Sequence, residues 1–378
     1  MIRIKYISLF IFVFIGIFAD FIANDKPLIC KNKEGYTFPV FSDKYRVNQD
    51  NKCEIILNPI IHYSNNSIDK LNAGSISPFG EQNLAEKQQR HYLGTDLLGR
   101  DVLAGLIHGT TIALKIGFSS MFLALILGLM MSLYPSYFGD FEFKAKLSSL
   151  LITIILLFFT VYFLYYKTAI ISILTTGGYN FIFIPALFLG IIIALWFTLS
   201  KINIFTRQIL IPLDSMFSTV IKLFQSLPGT FVVLILISLF TKPSIYNIII
   251  VIAILKWPII ARYVRAEMLK IKQERFIEAT KALGYSNNYI IWKHALPHVL
   301  NSTIVALAFG FAGTILLEST LSFLGIGIPA DHVSWGSLLS EARHDFTAWW
   351  LAIFPGMAIF ITILTFNSIG NHIRSKIN

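Results

Sequence analysis

The sequence predicts an all-α polytopic membrane protein, and two observations predict it. Of its 378 residues, 55% are hydrophobic and only 14% are charged, which is more apolar surface than a soluble core of this size can bury. Eight stretches are also long and apolar enough to cross about 30 Å of hydrocarbon. They lie near 4–23, 112–134, 147–166, 181–199, 219–241, 245–264, 300–324 and 349–370.

The first span begins as a cleaved signal peptide would, with Arg3 and Lys5 ahead of an apolar run. Its apolar part is long for a signal peptide, and no clear small-x-small cleavage site precedes Asn24. We therefore expect 1–23 to be an uncleaved first transmembrane anchor.

The next segment, 24–111, is polar and rich in Asn, Lys, Ser and Gly. Its short alternating pieces at 36–41 and 54–61 contain aromatic and β-branched residues, which favour a small external domain over disorder. The apolar residues of 101–107 fall on one helical face. They predict a separate helix that lies along the external membrane interface before the second span.

Both cysteines of the chain, Cys30 and Cys53, fall in the segment 24–111. In an oxidising periplasm they would pair in a disulfide, which stabilises the fold by roughly 3 kcal/mol in the chain-entropy model. The other reading is two unpaired thiols in a loosely ordered loop. The sequence leaves both readings open.

The formal net charge of +10 reflects the placement of basic residues around the spans. If the spans alternate from a cytoplasmic N-terminus, the short external loops hold little beyond Lys167, Lys242 and Arg343. This positive-inside pattern predicts that both termini are cytoplasmic, and it removes the need for a nucleic-acid partner. The basic residues assigned to the cytoplasmic side include Lys144, Lys146, Lys201, Arg207, Lys256, Arg262, Arg265, Lys270, Lys293, Arg374 and Lys376.

The third and fourth spans form a hydrophobic hairpin at 147–199, joined by the loop 167–180. A pair of spans returns the chain to its starting side, so the downstream topology does not change. Inserted spans must leave the rest of the bundle intact. We therefore expect the hairpin on the lipid-facing periphery.

The longest cytoplasmic loop, 265–297, has a helical pattern of its own. Residues 267–283 predict one helix that ends at Gly284, and 287–296 predict a second helix with Ser286 as its cap. A loop shaped as two short helices is more than a linker, so we expect a partner to dock there. The apolar contacts of the first helix are expected from Phe276, Ile277, Ala279 and Leu283.

The sequence lacks the patterns of common nucleotide and hydrolase sites. It contains no Gly-x-x-x-x-Gly-Lys-Ser/Thr loop, no His-Glu-x-x-His helix and no Gly-x-Ser-x-Gly elbow. We therefore expect no catalytic residue, no cofactor and no metal site in this chain. Any energy that the activity of this protein requires has to come from elsewhere.

One ionisable residue stands out, because Glu318 lies deep in the seventh predicted span. A charge there costs at least ~2.5 kcal/mol on insertion scales. Glu318 is a candidate contact for a substrate or a gate. The favoured reading is a hydrogen bond between helices that fixes their packing.

The loop 265–297 also carries residues at a recognisable spacing, namely Glu278, Ala279, Thr280, Gly284, His294, Leu296 and Pro297. This pattern resembles the EAA signature of bacterial ATP-binding-cassette importer permeases, although Thr280 stands where that family has a second Ala. The resemblance implies that the loop is the coupling helix, which seats in a groove of a cytoplasmic ATPase subunit.

A second motif precedes the second span and consists of Gly94, Thr95, Asp96, Gly99, Arg100 and Asp101. Together with His91, Tyr92 and Leu93, it is similar to the signature of the C-type permease of dipeptide and oligopeptide importers. Tyr92 stands where that family usually has Pro. The residues 23–28 are similar to the branch associated with microcin C uptake.

The resemblance implies an importer-type transmembrane domain at 112–378, with about six core spans, the extra hairpin at 147–199 and a small periplasmic insertion at 24–111. It implies a permease subunit of the bacterial inner membrane that forms half of a translocation pathway for peptides. The implied partners are a homologous second permease, two ATPase subunits that bind ATP and Mg²⁺, and a periplasmic or lipoprotein peptide-binding protein.

The alternative is a secondary transporter or channel that needs no ATPase. Such a protein predicts several intramembrane carboxylates or paired broken helices at corresponding positions of two halves. Only Glu318 is placed deeply in a predicted span.

Overall fold

A computed structural model describes residues 2–32, 35–41, 54–84, 89–146, 208–240, 242–326, 328–329 and 332–377. Within those ranges the chain is mostly helical, as the sequence predicts. It divides into two compact units, of which the first comprises Met1–Leu133 and Ile221–Asn378 and the second comprises Tyr134–Val220.

The helices number ten in the described ranges, and two of them, α2 and α3, have residues in both units. They are α1 (Ile2–Ile22), α2 (Val102–Phe138), α3 (Leu213–Ser226), α4 (Gly229–Ser238), α5 (Ile245–Ile271), α6 (Arg275–Ala282), α7 (Asn287–Tyr289), α8 (Leu296–Phe323), α9 (Trp335–Glu341) and α10 (Trp349–Ile377). A π-helical segment, Ile290–Ala295, joins α7 to α8.

Five helical runs in the described ranges are long and apolar enough to cross a membrane. They are α1, α2, α5, the continuous run Asn287–Phe323 and α10. Helices at the spans predicted near 4–23, 112–134, 245–264, 300–324 and 349–370 are therefore confirmed. The two spans predicted for the hairpin 147–199 lie outside the described residues.

α8 lies at the centre of the first unit, where it contacts α5, α9 and α10. Aromatic rings join these helices to α1: Phe311 of α8 stacks on Phe366 of α10 at 4.0 Å, and Phe12 of α1 meets both rings edge-on. A Cβ at Gly117 of α2 would lie 2.7 Å from the Phe311 ring. The glycine therefore lets α2 pack directly against this aromatic cluster.

The span predicted at 219–241 is not one straight helix. The chain forms α3 and α4 instead, which are bent by 87° at the break between Ser226 and Gly229. Pro228 explains the break, because proline has no N–H to donate and disfavours the helical conformation of the residue before it. The pair is a broken span or a re-entrant segment.

The separate helix predicted at 101–107 is also wrong, because α2 is continuous from Val102. No proline interrupts this stretch, and its glycines are held by close packing. A Cβ at Gly109, for example, would lie 2.6 Å from the indole of Trp335 in α9. The helix therefore continues where the sequence suggested a junction.

The helix predicted at 267–283 is divided between the end of α5 and the whole of α6. The reason is Glu274, whose extended backbone ends the helical run before α6 begins at Arg275. α5 is therefore longer than predicted, and Lys256 lies near its middle. Lys256, which the sequence analysis counts with the cytoplasmic residues, therefore lies inside a helix that is apolar enough to cross a membrane.

The segment between α1 and α2 contains a three-stranded antiparallel sheet in the order β2-β1-β3. Its strands are β1 (Ile29–Asn32), β2 (Gly35–Thr37) and β3 (Glu54–Leu57), with Cys30 paired to Thr37 on one side and to Ile55 on the other. Cys30 is buried and disulfide-bonded. The other cysteine, Cys53, lies outside the described residues, so their pairing stays a prediction.

In the second unit, two short strands flank the region that carries the predicted hairpin. β4 (Lys144–Lys146) pairs antiparallel with β5 (Gln208–Leu210), with Lys146 opposite Gln208. The backbone N–H and hydroxyl of Ser215 donate to the Asp140 carboxylate at 2.9 and 2.5 Å. Residues 146 and 208, which border the region 147–207 in the sequence, therefore lie on adjacent strands.

Candidate functional site

The loop between α5 and α8 turns sharply at Gly284, as the sequence predicts. Gly284 has a φ of +80°, and its N–H donates to the carbonyl of Lys281 at 3.0 Å. The N–H of Tyr285 donates to the carbonyl of Thr280 at 3.4 Å. This pair of bonds is a Schellman motif, which satisfies the last carbonyls of α6. The glycine is needed for its left-handed φ.

The second half of the loop is one continuous helical run instead of a short helix followed by a span. Ser286 caps it, since its hydroxyl accepts from the N–H of Tyr289. Pro297 stands at the start of α8 and has no N–H to give to the preceding turn. The π-helical turn Ile290–Ala295 widens the helix just before that proline, and such turns are frequent at functional sites.

The inner face of this loop is apolar, and α6 packs with it against the π-helical segment. Its buried residues are Ile277, Thr280, Ile290, Ile291 and Ala295. Of the apolar contacts predicted for α6, only Ile277 is confirmed, because Phe276, Ala279 and Leu283 are exposed. An eight-residue helix has one narrow buried face, and Ile277 and Thr280 occupy it.

The outer face of the loop is defined by the exposed side chains of Glu278, Ala279, Leu283, Tyr285 and Trp292. Leu283 is 76% exposed, beside the Gly284 turn. His294 is half-buried and lies edge-on to Tyr289, at 5.5 Å between ring centroids. Leu296 is half-buried and Pro297 is exposed. The outer face therefore presents apolar groups among charges, as protein interfaces do.

A cavity of about 640 Å³ opens beside this loop. Its charged residues are Glu267 and Lys270 at the end of α5 and Glu274 before α6, and α8 contributes His298 and Asn301. The Phe276 ring borders it and lies 5.3 Å from the His298 ring.

The second predicted motif forms a compact turn that two glycines make possible. Gly94 and Gly99 have φ values of +79° and +84°. A Cβ at Gly94 would lie 2.5 Å from the carbonyl oxygen of Ile76, and one at Gly99 would lie 2.2 Å from that of Asp69. Any other residue at either position would therefore combine backbone strain with a collision.

Polar residues of the same motif tie this turn to α9 and α10. The Asp96 carboxylate accepts from the N–H of Arg100 at 2.8 Å and from the Arg100 guanidinium at 2.5 Å. Arg100 also forms an ion pair with Glu341 of α9. The indole N–H of Trp350 in α10 donates to the carbonyl of Thr95 at 3.1 Å.

His91 is the centre of a buried network that joins the motif to the preceding loop. Its Nδ1 lies 2.8 Å from Asp101 and its Nε2 lies 3.4 Å from Asp69. The Tyr63 ring stacks on the imidazole at 4.2 Å. Asn72 donates to Asp69 at 2.7 Å.

The network shifts the pKa values of its members. Burial alone would lower the pKa of His91, but hydrogen bonds and charges of Asp101 and Asp69 outweigh burial and raise it. Burial, with the same two carboxylates, raises the pKa of Tyr63 to about 12. Burial, followed by the nearby charge of Asp96, raises the pKa of Glu341 to about 7, although Arg100 opposes this shift.

Glu318 lies in α8, five residues before the helix ends at Phe323. It is buried, and its carboxylate accepts from the Ser322 hydroxyl at 2.8 Å and from the Ser319 hydroxyl at 3.3 Å. The side chain of Ser334, which caps α9, also interacts with this carboxylate. The contact to a second helix agrees with the favoured reading, in which Glu318 fixes helix packing.

The structure therefore brings Glu318 and the motif 94–101 to α9, while the loop residues 278–297 form a separate site. Sequence reasoning missed Asp69, Asn72, Glu341 and Trp350. The partners of Glu341 and Trp350 lie 241 and 255 positions away along the chain. It also missed the placement of Lys256, although a lysine inside an apolar run was a visible signal. Among the described residues, no group of three or more His, Cys, Asp or Glu side chains can hold a metal ion.

Residues 186–378, just over half of the chain, match the family model described as "binding-protein-dependent transport system inner membrane component". The chain is 26% identical over 307 residues to the dipeptide transport system permease protein DppC of Alkalihalophilus pseudofirmus, covering 80% of this chain and 77% of that protein. It is 41% identical over 137 residues to a putative peptide transport system permease protein of Brucella suis, covering 36% of this chain and 46% of that protein.

Among solved structures, an inward-facing MetNI methionine ABC transporter matches with a TM-score of 0.45 and 16% identity, over 73% of this chain and 98% of that one. The family assignment rests on the sequence match, which covers α3 to α10 and the whole loop 265–297. The chain belongs to the family of binding-protein-dependent transport system inner membrane components, and it is a transmembrane permease of an ABC importer.

Proposed function

We propose that this permease imports peptides and that it forms half of the translocation pathway beside a homologous second permease. Two relatives, with matches covering 80% and 36% of this chain, are named as dipeptide and peptide transport permeases. Family membership disfavours the alternative of a secondary transporter or channel without an ATPase. A separate peptide-binding protein, periplasmic or anchored as a lipoprotein, delivers the substrate.

The protein is a multi-pass protein of the bacterial inner membrane, and we propose that both termini are cytoplasmic. The basic residues at the end of α5 and in α6 then lie on the cytoplasmic side, in keeping with the positive-inside pattern. The segment between α1 and α2, with its sheet and its buried His91 network, lies in the periplasm.

The observation that carries the proposal is the outer face of the loop 265–297. Two ATPase subunits bind ATP and Mg²⁺ and have to exert force on a cytoplasmic surface of the permease. The Gly284 turn is closed by Schellman bonds, so it holds the loop in one shape. Exposed Ala279 leaves room for a partner to approach α6 closely, and exposed Leu283 and Trp292 offer apolar contacts.

The experiment replaces Gly284 by Val in the full transporter. A β-branched residue at a φ of +80° costs about 1–3 kcal/mol, so the turn distorts while the spans insert normally. We expect ATPase subunits to co-purify about tenfold less and peptide uptake to fall in parallel. Gly284→Asn is the matched control, because Asn tolerates the left-handed conformation, and it should keep most of both activities.

A second variant tests the outer face without touching the turn. Ala279→Arg places a long charged side chain on exposed α6 and should also reduce ATPase co-purification. If Gly284→Val and Ala279→Arg both leave peptide uptake and ATPase co-purification unchanged, the docking assignment is wrong.

A further inference from the structure

Lys256 is a basic residue inside a membrane-spanning helix. It lies near the middle of α5, roughly 16 Å along the axis from Ile245 at 1.5 Å per residue. That distance is about half of the hydrocarbon thickness. Its side chain is partly buried against neighbouring helices.

The ammonium of Lys256 points towards α8 at a position where that helix has no side chain. A Cβ at Gly313 would lie 3.3 Å from the Lys256 Nζ atom. Beside it lies a cavity of about 180 Å³ between α2, α5 and α8. The cavity is lined by Met121, Ile259, Tyr263, Ala306, Phe309 and Gly310 together with Lys256.

No acidic side chain of the surrounding helices neutralises this ammonium. The sequences of α2 and α4 contain no Asp or Glu. Glu318 of α8 accepts hydrogen bonds from Ser319 and Ser322 of its own helix. Glu267 of α5 lies at the far end of the helix and pairs with Lys270 at 4.0 Å. In the part of the chain that the structure describes, Lys256 makes no hydrogen bond and no ion pair.

An unpaired charge within a membrane is costly, and such residues usually mark substrate or ion pathways. A lysine offers three donors and no acceptor, so the complementary ligand is an anion. Peptides carry one anionic group at a fixed place, the C-terminal carboxylate. We propose that Lys256 binds the carboxylate of the peptide as it passes the cleft between α5 and α8, an inference that rests on the proposed function.

The first test uses proteoliposomes that hold the full transporter, with its ATPases and binding protein. Uptake of trialanine is compared with uptake of trialanine amide, which lacks the carboxylate charge. Because the binding protein is the same in every arm, a change in the ratio of the two rates reports on the permease. The variants are Lys256→Met, Lys256→Arg and, as a matched control at the exposed end of α10, Lys376→Met.

We expect Lys256→Met to lower trialanine uptake about tenfold, as loss of a charged hydrogen bond would, and to bring the ratio towards one. Lys256→Arg and Lys376→Met should keep the wild-type ratio. If Lys256→Met lowers both uptakes equally, or leaves the ratio unchanged, the proposal is overturned. The same result is expected if Lys256 pairs with a carboxylate of the second permease and not with the peptide.

The second test does not depend on peptides. Lys256→Cys is treated with a membrane-impermeant anionic methanethiosulfonate reagent, with the wild-type chain as the control for Cys30 and Cys53. We expect modification from the aqueous side, which shows that position 256 faces a water-filled cleft. A position that stays unmodified overturns the inference. If the cysteine is modified but the wild-type transporter imports neither trialanine nor trialanine amide, position 256 still faces water. That pair of results refutes the proposed peptide import and not the accessibility of the site.

Discussion

His91 and Glu341 make the stability of the segment before α2 depend on pH. Both groups have raised pKa values in the folded protein, from 6.5 for His91 and from 4.5 to about 7 for Glu341. Each therefore binds its proton more tightly when folded. Their contribution to stability is complete below the unfolded pKa values and is lost as the pH rises through the folded values.

We therefore expect the midpoint of thermal unfolding in detergent to fall as the pH rises from about 5 to about 8. The lowered pKa of Asp69 acts near pH 4 and below, so it does not oppose this trend in that window. Glu341→Gln cannot titrate and should flatten part of the slope. A midpoint that is constant or rises over this range would contradict the assignment of these two groups.

Sequence reasoning worked at single residues where the signal is local. Gly284 and Ser286 were predicted because helix ends have their own residue preferences within a few positions. Glu341 was not predicted as the partner of Arg100, since the two lie 241 positions apart. The packing of α9 against the turn at Gly99 brings them together, and no local sequence pattern indicates that contact.

At the level of elements, the paired strands β4 and β5 define how the region 147–207 joins the rest of the chain. The two strands leave and return side by side, with Lys146 opposite Gln208. A segment that enters and leaves at adjacent points can be removed without moving its flanks. The hairpin predicted at 147–199 lies outside the described residues, and its peripheral placement stays a prediction.

The prediction is that replacing 147–207 by a two-residue Asn-Gly turn, which suits antiparallel strands, preserves the transporter. We expect the shortened chain to insert, to co-purify with its ATPases and to import peptide at about the wild-type rate. The control removes 213–238, which deletes α3 and α4 and should abolish assembly. Loss of assembly in the 147–207 variant would place the hairpin at an interface.

The helices were predictable because a membrane span is a continuous apolar run, and α1, α5, α8 and α10 follow that rule. The break between α3 and α4 was missed even though Pro228 was visible in the sequence. The residues on both sides of it are apolar, and hydropathy alone cannot distinguish a straight span from a bent pair. Strands β4 and β5 were missed because each is only three residues long.

For the whole molecule, the orientation in the membrane is testable through the two cysteines. In intact spheroplasts, we expect a membrane-impermeant maleimide to label the chain only after reduction, because Cys30 is disulfide-bonded and Cys53 is its predicted partner. Labelling is read as a mass shift, and the double variant Cys30→Ser with Cys53→Ser serves as the unlabelled control. Labelling of both thiols without reduction would rule out the bridge, and labelling only after permeabilisation would reverse the orientation.

The continuous helical run Asn287–Phe323 has a mechanical consequence. It is 37 residues long, or roughly 55 Å at 1.5 Å per residue. One end carries the loop around Gly284, and the other holds the Glu318 contact to α9. If a rigid helix of that length tilts by about 5° about one end, its other end moves by about 5 Å. A modest push at one membrane face thus becomes a displacement of more than a side chain's width at the other.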